Sequence, residues 1–222
     1  MRLILLGLPG AGKGTQAHVL AEQLGLLHIS TGDMFREAAA NGTELGLQAQ
    51  SFMSKGELVP DEVTIGMLLE RIAQPDAEKG IMLDGFPRTI PQAEALDAAL
   101  AERDSQIDAV LYIEVPEDQL MARLTGRWTC PTCGAIYHEL TNPPQTAGRC
   151  DNENAELTQR ADDQPETVKA RLDTNREWTE QLAEYYESAS KLHHIDGTGD
   201  PADITVRLLA AIESVPVATT EA

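Results

Sequence analysis

Apolar residues along this chain alternate between short continuous runs and longer stretches with a three-to-four-residue period. That is the signature of buried strands separated by amphipathic helices. The run 3–6 predicts a buried strand, 13–24 a helix stopped by Gly25, and 27–30 a short strand. Helices follow over 33–40, ending at the cap signal Asn41-Gly42, over 44–54 and over 61–73. A strand over 81–83 ends in Asp84, and a helix over 91–102 opens on a proline, whose missing N–H suits a first turn. Beyond them come a strand at 109–115, a helix at 117–125, a long helix at 165–190, a strand at 192–195 and a helix at 202–212. The tail from Glu213 reads as frayed. Such alternation predicts an α/β fold, a mostly parallel sheet with helices on both faces. Ligands then sit beyond the carboxyl ends of the strands. Two stretches break the rhythm: 31–60 is helical with no strand, and 127–163 collects Trp, Cys, Pro-Pro, Gly and polar residues. Both read as excursions from the core and as candidate lids. The sequence shows no internal repeat.

Length and charge narrow the picture. With 222 residues the chain can bury one substantial core, with room for an inserted subdomain. It contains no run of eighteen apolar residues and no signal-peptide layout, so no membrane span and a cytoplasmic location are expected. A formal charge of −19 argues against general nucleic-acid binding and against acidic membrane surfaces. Positive charge must therefore be concentrated locally wherever an anion binds. Only Lys13, Lys55, Lys79, Lys169 and Lys191 are lysines; the other basic residues are arginines, suited to bidentate phosphate contacts.

The strongest local signal follows the first strand. Gly7 to Thr15 read GLPGAGKGT. Glycines without a Cβ let backbone N–H groups wrap phosphate oxygens, and the dipole of the following helix adds partial positive charge. Lys13 can reach the β- and γ-phosphates. Gly14 stands where the strict GxxxxGK[ST] pattern has Ser or Thr, and Thr15 comes one residue later. After the third predicted strand, Asp84-Gly85-Phe86-Pro87-Arg88-Thr89 places an acid where it could orient Mg²⁺, through bound water, and an arginine fork for a phosphate. Taken alone, this stretch reads better as a turn with Asp84 capping it and Arg88 solvated; beside the glycine-rich loop the phosphate-binding reading is preferred. Ser30-Thr31-Gly32-Asp33-Met34-Phe35-Arg36 offers a hydroxyl for a base edge and an arginine for a phosphate, and its Ser30, Thr31 or Asp33 could cap a helix.

GLPGAGKGT, STGDMFR and DGFPRT, in this order and spacing, resemble adenylate kinase, whose members convert ATP and AMP into two ADP. The resemblance runs from Met1 to about Leu209, and the Gly14-Thr15 ending is that family's own variation. It implies a five-stranded parallel P-loop core at 1–29, 60–125 and 164–222, a nucleoside monophosphate-binding arm at 30–59 and a lid at 126–163. By the same resemblance Gly10, Ala11, Gly12, Lys13, Gly14 and Thr15 hold ATP phosphates, which Arg123 and Arg127 also meet. Ile136 and Tyr137 pack on adenine, and a carbonyl at Gly199 reads its amino group. Thr31, Arg36, Glu57, Leu58, Val59, Gly85, Phe86, Pro87, Arg88 and Gln92 line the AMP site. Arg160 and Arg171 clamp the transferring group, and Asp162 and Asp163 match an acidic pair at the lid hinge. Seven of the 17 basic residues (Lys13, Arg36, Arg88, Arg123, Arg127, Arg160, Arg171) fall at family phosphate positions. Trp128 replaces a second arginine common in the family. Family members of this size imply a monomer whose partners are ATP, AMP and ADP.

Cys130, Cys133 and Cys150 supply three-quarters of a tetrahedral zinc site, and an odd, clustered set in a chain expected in the cytosol suits a metal better than disulfides. Lids of similar kinases have Cys-x2-Cys, sixteen residues, then Cys-x2-Cys or Cys-x2-Asp; here the fourth position is Glu153, with Asp151 and His138 as rivals. Zinc would hold together a lid too small for its own core, while Mg²⁺ with ATP serves the chemistry. Trp178, Tyr185 and Tyr186 read as core packing, and His193 and His194 as noncatalytic. Two alternatives to adenylate kinase are a kinase of another nucleoside monophosphate, which Thr31 and the long lid disfavour, and a zinc-ribbon interaction module switched by nucleotide, which leaves the dispersed arginines unexplained.

Overall fold

A computed structural model of the chain describes residues 1–215; the frayed tail read from Glu213 is not found there, since the last helix runs to Glu213 and Val215 is buried in the core, and the rest of that tail and of the core segment to 222 lies outside the described residues. In chain order the elements are β1 (Arg2–Leu6), α1 (Lys13–Leu24), β2 (Leu27–Ser30), α2 (Thr31–Ala40), α3 (Glu44–Met53) and α4 (Asp61–Ile72). Then come β3 (Ile81–Asp84), α5 (Ile90–Ala101), β4 (Ala109–Glu114), α6 (Glu117–Thr125), β5 (Arg127–Thr129) and β6 (Ile136–His138). The chain closes with α7 (Pro165–Ser188), β7 (Leu192–Asp196) and α8 (Pro201–Glu213); short 3₁₀ turns occupy Pro75–Lys79 and Ala161–Asp163.

Five strands form one sheet in the order β2-β3-β1-β4-β7, every neighbouring pair parallel. The central strand shows why its run is apolar without alternation. Leu3 and Leu5 join a core with Ala17 and Leu20 of α1 and Ile204 and Leu208 of α8. Ile4 and Leu6 face the other side, with Leu68 of α4, Leu96 of α5 and Leu182 and Tyr186 of α7. A strand buried on both faces needs apolar residues at every position, and each fully buried Leu or Ile is worth about 1.5–3 kcal/mol. In register, Leu5 pairs with Asp84 and Ser30 with Asp84, while Leu6 pairs with Tyr112. The carboxyl ends of β1, β2 and β3 therefore finish level, and their loops open on one crevice.

The helices predicted over 13–24 and 117–125 are found with those ends, and the others have ends moved by one or two residues, several of which the caps explain. α2 begins at Thr31 because Ser30 Oγ accepts the Asp33 N–H at 3.3 Å. Thr89 caps α5 in the same way, accepting the Gln92 N–H at 3.4 Å, with Pro91 in the first turn. Gly25 ends α1 at φ 66°, and its N–H bonds Ala21. Tyr185 and Tyr186 pack edge to face on α7, with the Tyr185 hydroxyl on Asp97 at 2.8 Å.

The stretch 127–163 carries structure that periodicity missed. β5 and β6 form an antiparallel hairpin, and Thr129 bridges to Thr158. Strands of three residues have no countable period. Inside sits a miniature core of Cys130, Tyr137, Cys150 and Leu157. Among the described residues no helix is long and apolar enough to cross a membrane.

Candidate active site

β1 ends in a loop wound by three left-handed glycines: Gly10 (φ 86°), Gly12 (φ 95°) and, extended but positive, Gly7 (φ 146°). A Cβ on Gly10 would meet Leu124 of α6 at 3.0 Å, so the loop lies against that helix with no room to spare. Ala11 donates its N–H to Leu8 and Gln16 to Gly12; among the described residues the N–H groups between them find no backbone carbonyl. These free donors open the helix that starts at Lys13, which is what an anion cradle requires. Lys13 Nζ folds back on the loop, donating to the carbonyls of Gly7 (2.6 Å) and Leu8 (3.0 Å). A Cβ at Gly14 would stand 3.2 Å from Asp84 Oδ2. The carboxylate thus fills the space a Ser or Thr side chain would take, and Asp84 lies beside the cradle.

Cations from every part of the chain face the same crevice. Burial, and then Arg88, Arg171 and Arg127, push Lys13 down to about 8, with Asp84 opposing. Arg88 is lowered to about 10 by burial, by Arg171 and by Arg36. Arg160 is lowered to about 10 by burial, Arg36 and Arg127, against Asp33 and Asp163. Burial also lowers Arg171, with Arg127 adding to it and Asp162 opposing. Lys13, Arg36, Arg88, Arg127, Arg160 and Arg171 therefore repel one another across one space. Without a polyanion such an arrangement is costly.

Acids hold the arginines in place. Arg127 makes a fork with Asp163, Nε to Oδ2 at 2.8 Å and Nη2 to Oδ1 at 2.5 Å. Arg171 Nη1 reaches Asp163 Oδ1 and Asp162 Oδ2, both at 3.0 Å. Asp163 is fully buried, so one carboxylate ties β5 to α7. Burial would raise Asp162, but Arg171 and then Arg36, Arg127 and Arg160 outweigh it, leaving its carboxyl below the usual range. Asp33 accepts a hydrogen bond from Arg36 and stands 3.9 Å from Arg160 Nη2, linking α2 to the segment between β6 and α7.

A second cluster in the crevice centres on Gly85 (φ 78°). Its carbonyl accepts from Thr31 Oγ1 at 2.9 Å and Arg88 Nε at 2.8 Å. A Cβ there would meet both side chains, at 3.2 and 3.0 Å. Gln92 Oε1 accepts the Arg88 N–H at 2.8 Å, and its Nε2 donates to Asp61 Oδ1 at 2.7 Å. Phe86 and Pro87 are buried behind. Val59 packs with Phe35 and Ala49 of the arm, Leu58 is half-buried and Glu57 exposed.

In the lid the sulfurs of Cys130, Cys133 and Cys150 lie within 4.8 Å of one another, Cys133 to Cys150 at 3.6 Å. Two like turns present them. Cys130 N bonds Ala135 O and Gly134 N bonds Cys130 O; Cys150 N bonds Ala155 O and Asn154 N bonds Cys150 O. Gly134 and Asn154, at the same place in each turn, both have positive φ, 71° and 52°. The paired spacing of the sequence thus corresponds to two turns of the same backbone pattern, and Glu153 occupies in the second turn the place of Cys133 in the first. Glu153 itself is exposed, with its carboxylate outside the thiol group. The rivals are engaged elsewhere: His138 Nδ1 accepts from Leu140 and Thr141 N–H, and Asp151 Oδ1 from Gln145 N–H.

A sequence model of adenylate kinase matches residues 5–191. The chain belongs to the adenylate kinase family. It is 54% identical over 214 residues to an adenylate kinase of Lysinibacillus sphaericus (strain C3-41), covering 96% of this chain and 99% of the relative. The adenylate kinase of Listeria monocytogenes serotype 4b (strain CLIP80459) is 54% identical over 206 residues, 93% and 96% of the two chains. That of Staphylococcus aureus (strain Mu50 / ATCC 700699) is 54% identical over 205 residues, 92% and 95%. The protein is accordingly a nucleoside monophosphate kinase with adenylate kinase activity, and its sheet and P-loop have the architecture of that family's core.

Not every family position converges on the adenylate kinase crevice. Arg123 is lowered by burial alone and donates to Gly197 O at 3.1 Å, toward the loop that carries Gly199 (φ 94°). Ile136 is half-buried, and the Tyr137 ring packs with Cys130, Cys150 and Leu157. Asp61 carries no signal in the sequence beyond opening the helix 61–73, and only the fold brings it to Gln92 and Thr89. The bridging role of Asp33 was equally hidden behind its capping signal.

Proposed function

We propose that Mg·ATP and AMP occupy opposite sides of the cationic crevice and that the terminal phosphoryl group passes reversibly between them, giving two ADP. The observation that carries this reading is the convergence of Lys13, Arg36, Arg88, Arg127, Arg160 and Arg171 on one space. Phosphoryl transfer asks mainly for positioning and for stabilisation of charge on the equatorial oxygens. The loop 10–15 binds ATP phosphates through its free N–H groups, with Arg123 and Arg127 also on the phosphates, Ile136 and Tyr137 against adenine and the Gly199 carbonyl at its amino group. Thr31, Arg36, Arg88, Gln92 and residues 57–59 hold AMP. Arg160 and Arg171 close on the transferring group; an arginine so placed is worth about 10³–10⁵ in rate in related systems. No general base is needed, since AMP presents an ionised phosphate. In this reading the arm is 30–59, the lid 126–163 and the core the remainder, and lid–arm contact excludes water from the reaction.

Asp84 would hold Mg²⁺ through water beside the cradle, where the ion supplies neutralisation of phosphate charge. Cys130, Cys133 and Cys150 would hold structural Zn²⁺, with Glu153 as fourth ligand. Support comes from the paired turns, which put Glu153 where the first turn has Cys133. We also propose a cytoplasmic monomer.

The test is ³¹P NMR of the protein with Mg·ATP and, separately, AMP, CMP, UMP and GMP. ADP formed only with AMP, and reversal when ADP is supplied, is the expected result. Turnover with another monophosphate would overturn the assignment of Thr31 and the base pocket; no transfer to any acceptor would overturn the whole reading.

A further inference from the structure

We propose that Tyr137 is a positioning residue of the lid metal site, its hydroxyl donating a hydrogen bond to the Cys150 sulfur and fixing that ligand for the ion. The inference rests on the reading of the three thiols as a metal site. Its own basis is geometric. The Tyr137 ring is buried in the lid core with Cys130, Cys150 and Leu157. Its oxygen lies 3.5 Å from Cys150 Sγ and 2.8 Å from the Asp151 N–H. The Asp151 amide can only donate, so it takes a lone pair of the hydroxyl and turns the phenolic hydrogen away from itself. A metal-bound Cys150 has no proton to give, so the remaining contact is O–H to sulfur. The hydroxyl thus spans consecutive residues of the second turn, the ligand Cys150 and the amide that follows it.

This gives the tyrosine a role in the lid distinct from nucleotide contact. β6 alternates: Ile136 and His138 lie on one side of the strand and Tyr137 on the other, toward the thiols. Outer partners that orient metal ligands typically change affinity by about 10–100-fold when removed. Phenylalanine at 137 would keep the ring and lose only the donor.

The experiment uses the full chain. Wild type and Tyr137→Phe are stripped of metal and titrated with Zn²⁺ against a chromophoric chelator, and with Co²⁺ while the thiolate-to-cobalt charge-transfer band is followed. Tyr137→Phe should bind Zn²⁺ about 10–100-fold more weakly, and its cobalt band should move to lower energy, because an unbonded thiolate gives up electron density more readily. A 3-fluorotyrosine at position 137, a stronger donor of the same shape, should move the band the other way. Opposite shifts are something a packing role cannot produce. Affinity within two-fold of wild type, or a band unmoved in both variants, overturns the inference while leaving the metal site standing. Wild type that takes up neither ion overturns both.

Discussion

Lys13 stands half-buried at the head of α1, its ammonium turned onto the Gly7 and Leu8 carbonyls and surrounded by arginines. Burial holds it near 8, against an ordinary 10.5. Between those values the unfolded chain carries a proton the folded protein has shed, so this group adds stability as pH rises through the window. Phosphates arriving at the loop reverse the shift. ATP binding at pH about 8 should therefore take up a proton, and at pH about 6.5, where Lys13 is already charged, this uptake should vanish. Calorimetry in buffers of different ionisation heat reads it directly; equal heats in all buffers at the higher pH would refute it. At this scale the sequence was most legible where chemistry is local. The glycines and Lys13 act through backbone and side chain within nine residues. Asp33 and Asp61 were illegible because their partners, Arg160 and Gln92, come from distant segments.

Among the elements, the arm shows how a single position decides whether two helices can carry a site. α2 and α3 approach so closely at Gly46 that a Cβ there would overlap the backbone of Ala38 and Ala39. Gly46→Ala must push α3 away, at about 1–3 kcal/mol. Because α2 carries Thr31 and Arg36, the KM for AMP should rise several-fold while the KM for ATP changes little. Melting and both constants, measured together, test this; wild-type melting with an unchanged KM for AMP would show the helix pair to be independent of the site. The helices themselves could be read from their period and caps, since Ser30, Thr43 and Thr89 each accept the N–H three residues on. The β5–β6 hairpin could not, because its order comes from Thr158 and the cysteine turns rather than from its own three-residue strands.

For the whole molecule, the lid is the least self-sufficient part. Its core among the described residues amounts to Cys130, Tyr137, Cys150 and Leu157, with Ala135 and Ala155 beside them. A body so small needs a staple. Removing the metal should lower the melting temperature, by about 2–4 °C for each kcal/mol lost, and should leave the preference for AMP over other monophosphates unchanged, since Thr31 and Gly85 lie outside the lid. An unaltered melting temperature after verified chelation would remove the structural metal. The segment 127–163 joins α7 through Asp163, which holds Arg127 and Arg171 together, so the placement of both arginines is set by the same buried carboxylate.

From the sequence alone one can determine the phosphate cradle, the alternation that demands a doubly covered parallel sheet, the family and the three thiols, because each is written in contiguous residues or short spacings. Tertiary structure decided what depends on several segments meeting. It settled which acid restrains which arginine, that Asp84 takes the space a side chain at Gly14 would need, and that the Tyr137 ring turns to the thiols. Charge and burial act through space rather than along the chain, so these outcomes exist only once the strands have brought their carboxyl ends level and the lid and arm have met above them.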